Sequence, residues 1–356
     1  MTIKDIAKEA NVSAGTVDRV IHNRPGVSRK TKARIQEILD KHNFERNVLA
    51  SALAYKRKYT IALLMPEFNS ELDFWYEPDK GANLAIEEIK KYGIVTRRFS
   101  FKMQDLKSFK QAMDDILAMK PDGVVLTPFF YDTSLNFMTQ LKHEKIPYAL
   151  INIEIASKSN LTFIGQDSYQ GGKMAGKLLG MMLPQKAKVA IMRSRNVNNH
   201  NAIDGRIKGF LDYFSENPFH QSSFSDIYFD ESSAEQIKKS LMPYFNQADT
   251  FQGIYVPSSM SFHIARFFEQ QKLGTSLRMV GFDAHKNNLK YLRTGTIDFL
   301  IDQDPTEQGY LGIKLMFEHL LFKKQLRKNY HSAINIVTKE NSKFFRGPKA
   351  AETIEV

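Results

Sequence analysis

The sequence predicts an α/β protein: two doubly wound parallel sheets behind a small N-terminal head of three helices. Three observations carry this expectation. The chain has 356 residues, more than one ordinary domain needs. Its first 58 residues show only helical patterns and concentrate the positive charge. The remainder alternates short apolar runs with helical patterns. At 42% hydrophobic and 25% charged residues it can bury sizeable cores.

The charge of +11 is unevenly spread: residues 1–58 carry 13 Lys/Arg against 6 Asp/Glu, and the other 298 carry 37 against 33. A basic segment of this kind predicts a polyanionic partner, because neutralised phosphates release counterions. Charge alone would equally suit a solvated basic face, so the helices must decide.

In the head, Ile3, Ile6, Ala7 and Ala10 recur at helical spacing. Ser13 stands where an N-cap belongs, before a second short helix that turns Val17, Val20 and Ile21 inward. His22-Asn23-Arg24-Pro25-Gly26 is turn chemistry. Ser28 caps a third helix whose buried side is Ile35, Ile38, Leu39 and Phe44. Two short helices across a tight turn, backed by a third, make the helix-turn-helix pattern, in which the second helix enters the major groove. Asn47 can cap a further helix of roughly two turns, too short to persist alone. Residues 47–58 are therefore expected to order on DNA beside a second subunit, with Leu53 wedging into the minor groove. The plain alternative is a linker helix with Leu53 packed internally.

From Tyr59 onward the expected strands are Ile61–Met65, Gly123–Thr127, Tyr148–Ile153, Lys188–Met192, Gly253–Val256, Arg278–Phe282 and Ile297–Ile301. Helical patterns lie between them, as at Ala82, Ala85, Ile86 and Ile89, and at Leu106, Phe109, Met113, Ile116 and Leu117. Continuous apolar strands alternating with helices imply parallel sheets covered on both faces. This length suits two lobes with a cleft, where ligands bind beyond the carboxyl ends of the strands. The residues after strands are thus the candidates: Phe74 and Trp75, Asp167, Asn201, Arg206, Ser258, Asp283 and Gln303. Aromatic faces with carboxylate, amide and guanidinium groups suit a small carbohydrate. Phe74 and Trp75 could instead be core, Asp167 a helix cap, and Arg206 a surface ion-pair residue.

The head resembles the headpiece and hinge of the lactose-repressor (LacI) family. The resemblance lies in Thr2-Ile3-Lys4-Asp5-Ile6-Ala7, Val12-Ser13, Thr16-Val17-Asp18-Arg19-Val20-Ile21, Val27-Ser28 and Asn47…Ala50…Leu53. It implies that Ala14 and Gly15 open the recognition helix, with Arg19 further along. It also implies that Ser13, Thr16, Ser28, Thr31 and Asn47 meet DNA backbone or groove, and that Leu53 intercalates. Thr2, Asn23 and Ala50 complete the expected DNA-binding set. Asp18 stands where the family usually has serine, and Arg46 where proline usually precedes the hinge. Small Ala14 and Gly15 leave direct readout to Arg19, which can reach guanine bidentately.

The body resembles the same family's effector domain, which is periplasmic-binding-protein-like. The matching pieces are Phe74-Trp75…Gly81, Gly165-x-Asp167…Gly171-Gly172, Arg206-x-x-Gly209-Phe210, Val280-Gly281-Phe282-Asp283 and Asp302-Gln303-Asp304-Pro305…Gly309. By resemblance Asp167, Arg206, Asp283 and Gln303 contact a sugar. Pro257-Ser258-Ser259 replaces the Asn-Asp of many relatives.

The expected layout is a headpiece at 1–46, hinge helix and linker at 47–58, and an effector domain at 59–345. Its N-lobe is 59–157 with 303–332, and its C-lobe 158–302 with 333–345. The expected partners are a near-palindromic double-stranded DNA operator, a small carbohydrate effector and a second copy of the chain, with no membrane. A rival reading is a sugar-binding protein without regulatory role; another is a glycoside-processing enzyme. No Gly-x-Ser-x-Gly elbow, phosphate-binding Gly-rich loop or metal-ligand cluster supports an enzyme, and no cofactor or metal is expected. Asp302, Asp304 and Glu307 fit no ligand spacing and read as helix caps. Absent cysteine, no apolar run near roughly 18 residues and a start unlike a signal peptide predict a cytoplasmic, nucleoid-associated protein.

Overall fold

The computed structural model describes residues 3–21, 25–42, 58–155, 159–195, 201–245, 251–273 and 277–345. The chain divides into two units, residues 1–55 and 56–356. The expected boundary at 46 and the hinge 47–57 lie outside the described residues.

Among the described residues the head has three helices: α1 (Ile3–Glu9), α2 (Ala14–Ile21) and α3 (Arg29–Lys41). α1 stops because Asn11 turns left-handed at φ 51°. That conformation lets Val12 N–H reach Ala7 O at 3.0 Å and Asn11 N–H reach Lys8 O at 3.2 Å, a Schellman closure with Asn11 in the usual glycine place. α2 starts on Ser13, whose Oγ accepts Thr16 N–H at 3.1 Å. α3 starts on Ser28, whose Oγ accepts Thr31 N–H at 3.2 Å. Ile6, Ala7, Ala10, Val17, Val20, Ile35, Ile38 and Leu39 form one buried cluster, as the helical spacing predicts, with Ile21 at its margin. Glu9 ties the ends of α1 and α3 together, accepting from Lys41 Nζ at 3.0 Å and bonding His42 Nε2 at 2.9 Å.

The body holds two six-stranded sheets. The first contains β1 (Tyr59–Pro66), β2 (Ile94–Phe101), β3 (Gly123–Leu126), β4 (Tyr148–Ile151), β5 (Thr162–Gly165) and β11 (Asn329–His331), in the order β11-β5-β4-β3-β1-β2. The second contains β6 (Lys188–Ser194), β7 (Ser223–Phe229), β8 (Gly253–Tyr255), β9 (Arg278–Phe282), β10 (Phe299–Asp302) and β12 (Asn335–Val337), in the order β12-β10-β9-β8-β6-β7. Every pairing is parallel except β10 with β12. The helices are α4 (Tyr76–Lys90), α5 (Leu106–Met119), α6 (Tyr131–His143), α7 (Ser168–Met182), α8 (Asn201–Glu216), α9 (Ala234–Phe245), α10 (Ser261–Gln271), α11 (Lys286–Thr294) and α12 (Pro305–Phe322). β1 shows why its sequence is apolar without alternation: Ala62 and Leu64 enter the core on one face, Ile61, Leu63 and Met65 the core on the other.

The chain crosses between lobes three times: β5 to α7, β10 to α12, and β11 to β12. The second passage leaves β10 after Asp302, and the third runs from His331 to Asn335. The first does not fall at 157. β5 pairs in parallel with β4, so residues up to Gly165 belong to the N-lobe. A strand of four residues is too short to announce a lobe boundary.

Each lobe also contains one helix pair in backbone contact. A Cβ on Gly81 would overlap Thr306 O and one on Gly309 would overlap Pro78 O, which locks α4 to α12. Gly172 against Arg206 O, with Gly209 against Tyr169 O, does the same for α7 and α8.

Candidate functional site

On the head, Ala14, Gly15 and Arg19 are exposed on α2, as a reading helix requires. Ser13 and Ser28 are exposed as well, Thr16 and Thr31 half-buried. Both serines already accept a backbone N–H as caps. Each also lies close to the next threonine hydroxyl, Ser13 to Thr16 at 2.9 Å and Ser28 to Thr31 at 2.8 Å. An exposed hydroxyl at a helix N-terminus suits a phosphate oxygen, because the uncapped N–H groups and the helix dipole favour negative charge there. Thr2, Asn23, Asn47, Ala50 and Leu53 lie outside the described residues.

In the body, the carboxyl ends of the strands converge on the junction of the lobes. Arg206, on the first turns of α8, is 5% exposed. Its Nη1 donates to Pro257 O at 2.9 Å, its guanidinium lies 3.9 Å over the Phe282 ring, and its Nε has no hydrogen-bond partner. Burial pulls its pKa down, while the Asp283 carboxylate favours the charged form. Asp283 ends β9 at φ 68° and is 3% exposed. Burial raises its pKa; Arg206 and the Gln303 amide oppose that. Gln303 Nε2 donates to Asp283 Oδ1 at 2.8 Å.

Behind these groups lies a buried network that sequence reasoning missed. Asn152, in the left-handed region at the end of β4, donates from Nδ2 to Gln303 Oε1 at 3.2 Å and to Gln308 Oε1 at 3.1 Å. Gln308 Nε2 donates to Gln303 O at 2.9 Å. Asp302 Oδ1 and Oδ2 each accept one backbone N–H, from Ala284 and Asp304, at 3.0 Å. Satisfied polar groups in a dry site hold one geometry, because leaving any of them unpaired is costly. The available signal was position: Asn152 and Asp302 both stand at strand ends.

Other expected residues are placed differently. Trp75 is 5% exposed in the N-lobe core, its Nε1 3.2 Å from Met103 sulfur, so the structure corrects its expected place on the cleft wall. Phe74, edge-on to Trp75 at 5.0 Å, keeps exposed surface. Phe68 and Phe130, half-buried after β1 and β3 and not among the residues the sequence singles out, pack against the same core. Asp167 caps α7, accepting Gln170 N–H at 2.9 Å, and remains half-buried. Asn201 Nδ2 donates across the lobes to Glu154 O at 3.0 Å. Ser258 stands half-buried beside Pro257. A second interlobe bridge joins Lys286 to Glu71 at 2.9 Å. Asp304 caps α12 through Glu307 N–H at 3.2 Å, the role its spacing suggests. Among the described residues no group of three His, Cys, Asp or Glu could hold a metal, and no helix is long and apolar enough to cross a membrane.

Comparison with known proteins matches residues 61–324 to the periplasmic binding protein domain and residues 2–47 to the bacterial regulatory proteins of the lacI family. A Bacillus subtilis relative, named as the HTH-type transcriptional repressor ExuR, is 31% identical over 169 residues, so that match spans about half of either chain. The ribose operon repressor of Lactococcus lactis is 23% identical over 93% of this chain and 95% of its own. Among solved structures, a Bacteroides fragilis protein classed as a LacI transcriptional regulator superposes with TM-score 0.76 at 25% identity, covering 82% of this chain and all of its own. GanP, a glucose-galactose binding protein from Geobacillus stearothermophilus, shares the fold with TM-score 0.71 at 20% identity, covering 80% of this chain and 99% of its own. The body of the chain thus belongs to the periplasmic binding protein domain family, and its head, residues 2–47, is the helix-turn-helix domain of the bacterial regulatory proteins of the lacI family.

Proposed function

We propose that this DNA-binding regulator is a repressor whose operator affinity is set by a small sugar or sugar derivative held between the lobes. The carrying observation is the set Arg206, Asp283 and Gln303: three buried polar side chains at the lobe junction, with Arg206 Nε unpartnered. A ring hydroxyl can accept from the guanidinium and donate to the carboxylate, while an aromatic face covers the C–H side of the sugar. The exposed face of α2 supports groove reading. In this reading two copies of the chain place two heads on half-sites of a near-palindromic operator, since two-fold protein symmetry maps onto two-fold DNA symmetry. Asn47, Ala50 and Leu53 would then act at the hinge. Operator and sugar affinities are linked reciprocally. Such a protein works where chromosomal DNA is, in the cytoplasm.

The test is a thermal-shift screen of the full chain against pentoses, hexoses, uronates and their phosphates, repeated with Arg206→Ala. One sugar class is expected to raise the melting temperature of the native protein, as a ligand selective for the folded state does. The variant should lose that shift and still bind DNA. No shift with any sugar, together with no preference for a symmetric duplex over scrambled DNA, overturns the proposal.

A further inference from the structure

We propose that Gln166 is a positioning residue of the effector response: its single side-chain amide pins all three passages between the lobes, so that they turn as one hinge. This rests on the regulator reading above for its purpose, though not for its geometry. Gln166 lies on the first passage, between β5 and α7, and is 2% exposed. Its Nε2 donates to Asp302 O at 3.2 Å, on the second passage, and to Ala333 O at 3.3 Å, on the third. An amide nitrogen carries two protons, and here each serves a different passage. Ser332 N–H adds a backbone tie from the third passage to Gly165 O at 2.9 Å.

The pin reaches the effector site through Asp302. The backbone carbonyl of Asp302 is held by Gln166, and its carboxylate holds the N–H groups of Ala284 and Asp304. Those residues flank the two effector candidates: Ala284 follows Asp283, and Asp304 follows Gln303. Displacing the Gln166 amide therefore shifts the segment that presents Gln303 to Asp283.

α7 is shaped around the same amide. Gln166 Oε1 is buried and has no hydrogen-bond partner, and a Cβ placed on Gly171 would come within 2.8 Å of it. Glycine at 171 leaves the amide room to sit where its nitrogen meets both carbonyls. A bond needed only for stability would not require an unpaired acceptor to be tolerated beside it, since such an atom is itself destabilising.

Two substitutions disturb the pin by independent routes. Gln166→Met removes both donors and the unpaired oxygen at similar volume. Gly171→Ala keeps the amide and pushes on its oxygen. The chain has no cysteine, so Lys110→Cys and Lys238→Cys, exposed on α5 and α9, place one spin label on each lobe. The interlobe distance distribution is then measured by pulsed electron resonance on the full chain without DNA or sugar. The native pin is expected to give one narrow distribution. Gln166→Met should at least double its width, and Gly171→Ala should broaden it likewise. A native-like width in Gln166→Met overturns the proposal; if that variant does not fold, the same result in Gly171→Ala does. Absence of any sugar or operator response would sink the regulator reading and leave this measurement intact.

Discussion

Gln303 and Asp283 meet at 2.8 Å with amide hydrogen on carboxylate, although one residue lies on a passage between lobes and the other at the tip of β9. The bond places the carboxylate proposed to meet the sugar under the control of the segment that joins the lobes. Gln303→Leu keeps the volume and leaves Asp283 Oδ1 buried without its donor. A buried acceptor deprived of its partner costs about 1–3 kcal/mol, so stability read from urea unfolding should fall by that amount. Loss of the amide also pushes the Asp283 pKa further up, weakening any sugar that relies on its charge. An unchanged midpoint would show that water replaces the amide.

Two glycines make opposite predictions. Gly172 meets the backbone carbonyl of Arg206, where a methyl group cannot fit. Gly172→Ala should therefore cost about 1–3 kcal/mol as overpacking, and abolish the sugar-dependent thermal shift by moving Arg206 without replacing it. Gly15 is exposed on α2, and a methyl group added there would meet nothing nearer than Ser13 Oγ at 3.7 Å. Gly15→Ala should stabilise the head by about 0.5–1 kcal/mol, since alanine is the better helix former. Calorimetry of the two variants reads both signs.

Arg19 is exposed on the reading helix. Arg19→Ala should weaken binding to a symmetric operator by about 1–3 kcal/mol and relax its sequence preference. Random DNA should be held nearly as before. Equal loss on both, seen in competition titrations at fixed salt, would confine Arg19 to phosphate contact.

Asp302 and His263 predict opposite pH dependences over one window. Burial pushes the Asp302 carboxyl up from 3.8 to about 6, against the N–H groups of Ala284 and Asp304. Between those values the folded chain keeps a proton that the unfolded chain has released, so this stability is present below pH 4 and lost as pH rises through 6. Burial, helped by the charges of Arg266 and His285, pulls His263 down from 6.5 to about 4. Its contribution is present above 6.5 and lost as pH falls through 4. Each is worth up to about 3 kcal/mol across the window. Melting temperatures measured relative to the native protein from pH 4 to 7 should therefore rise with pH for Asp302→Asn and fall for His263→Gln. Parallel slopes would refute the assignment.

Sequence reading recovered β1, β3, β4, β8 and β9 because they are buried on both faces and their residues are apolar nearly throughout. The inner strand β5 is as buried yet escaped it, since between Thr162 and Gly165 only Phe163 and Ile164 are apolar. The edge strands escaped it too. β2 runs Ile-Val-Thr-Arg-Arg-Phe-Ser-Phe and β7 runs Ser-Phe-Ser-Asp-Ile-Tyr-Phe, and both are open to solvent along much of their length. The same limits govern the site. Arg206, Asp283 and Gln303 were legible because each follows or faces a strand end. Trp75 was not, since an aromatic residue after a strand serves a core as well as a cleft, and only packing against Met103 separates the two. The bond from Asn152 to Gln308 spans 156 positions, a distance over which no local pattern carries information.

The glycine-locked helix pairs settle where this molecule can yield. Because α4 rides on α12 and α7 on α8 at carbonyl distance, the helices on that face of each sheet cannot slide past one another to absorb a push from a bound molecule. Compliance is left to the three short connections at the waist, and a force applied at either lip arrives there undiluted.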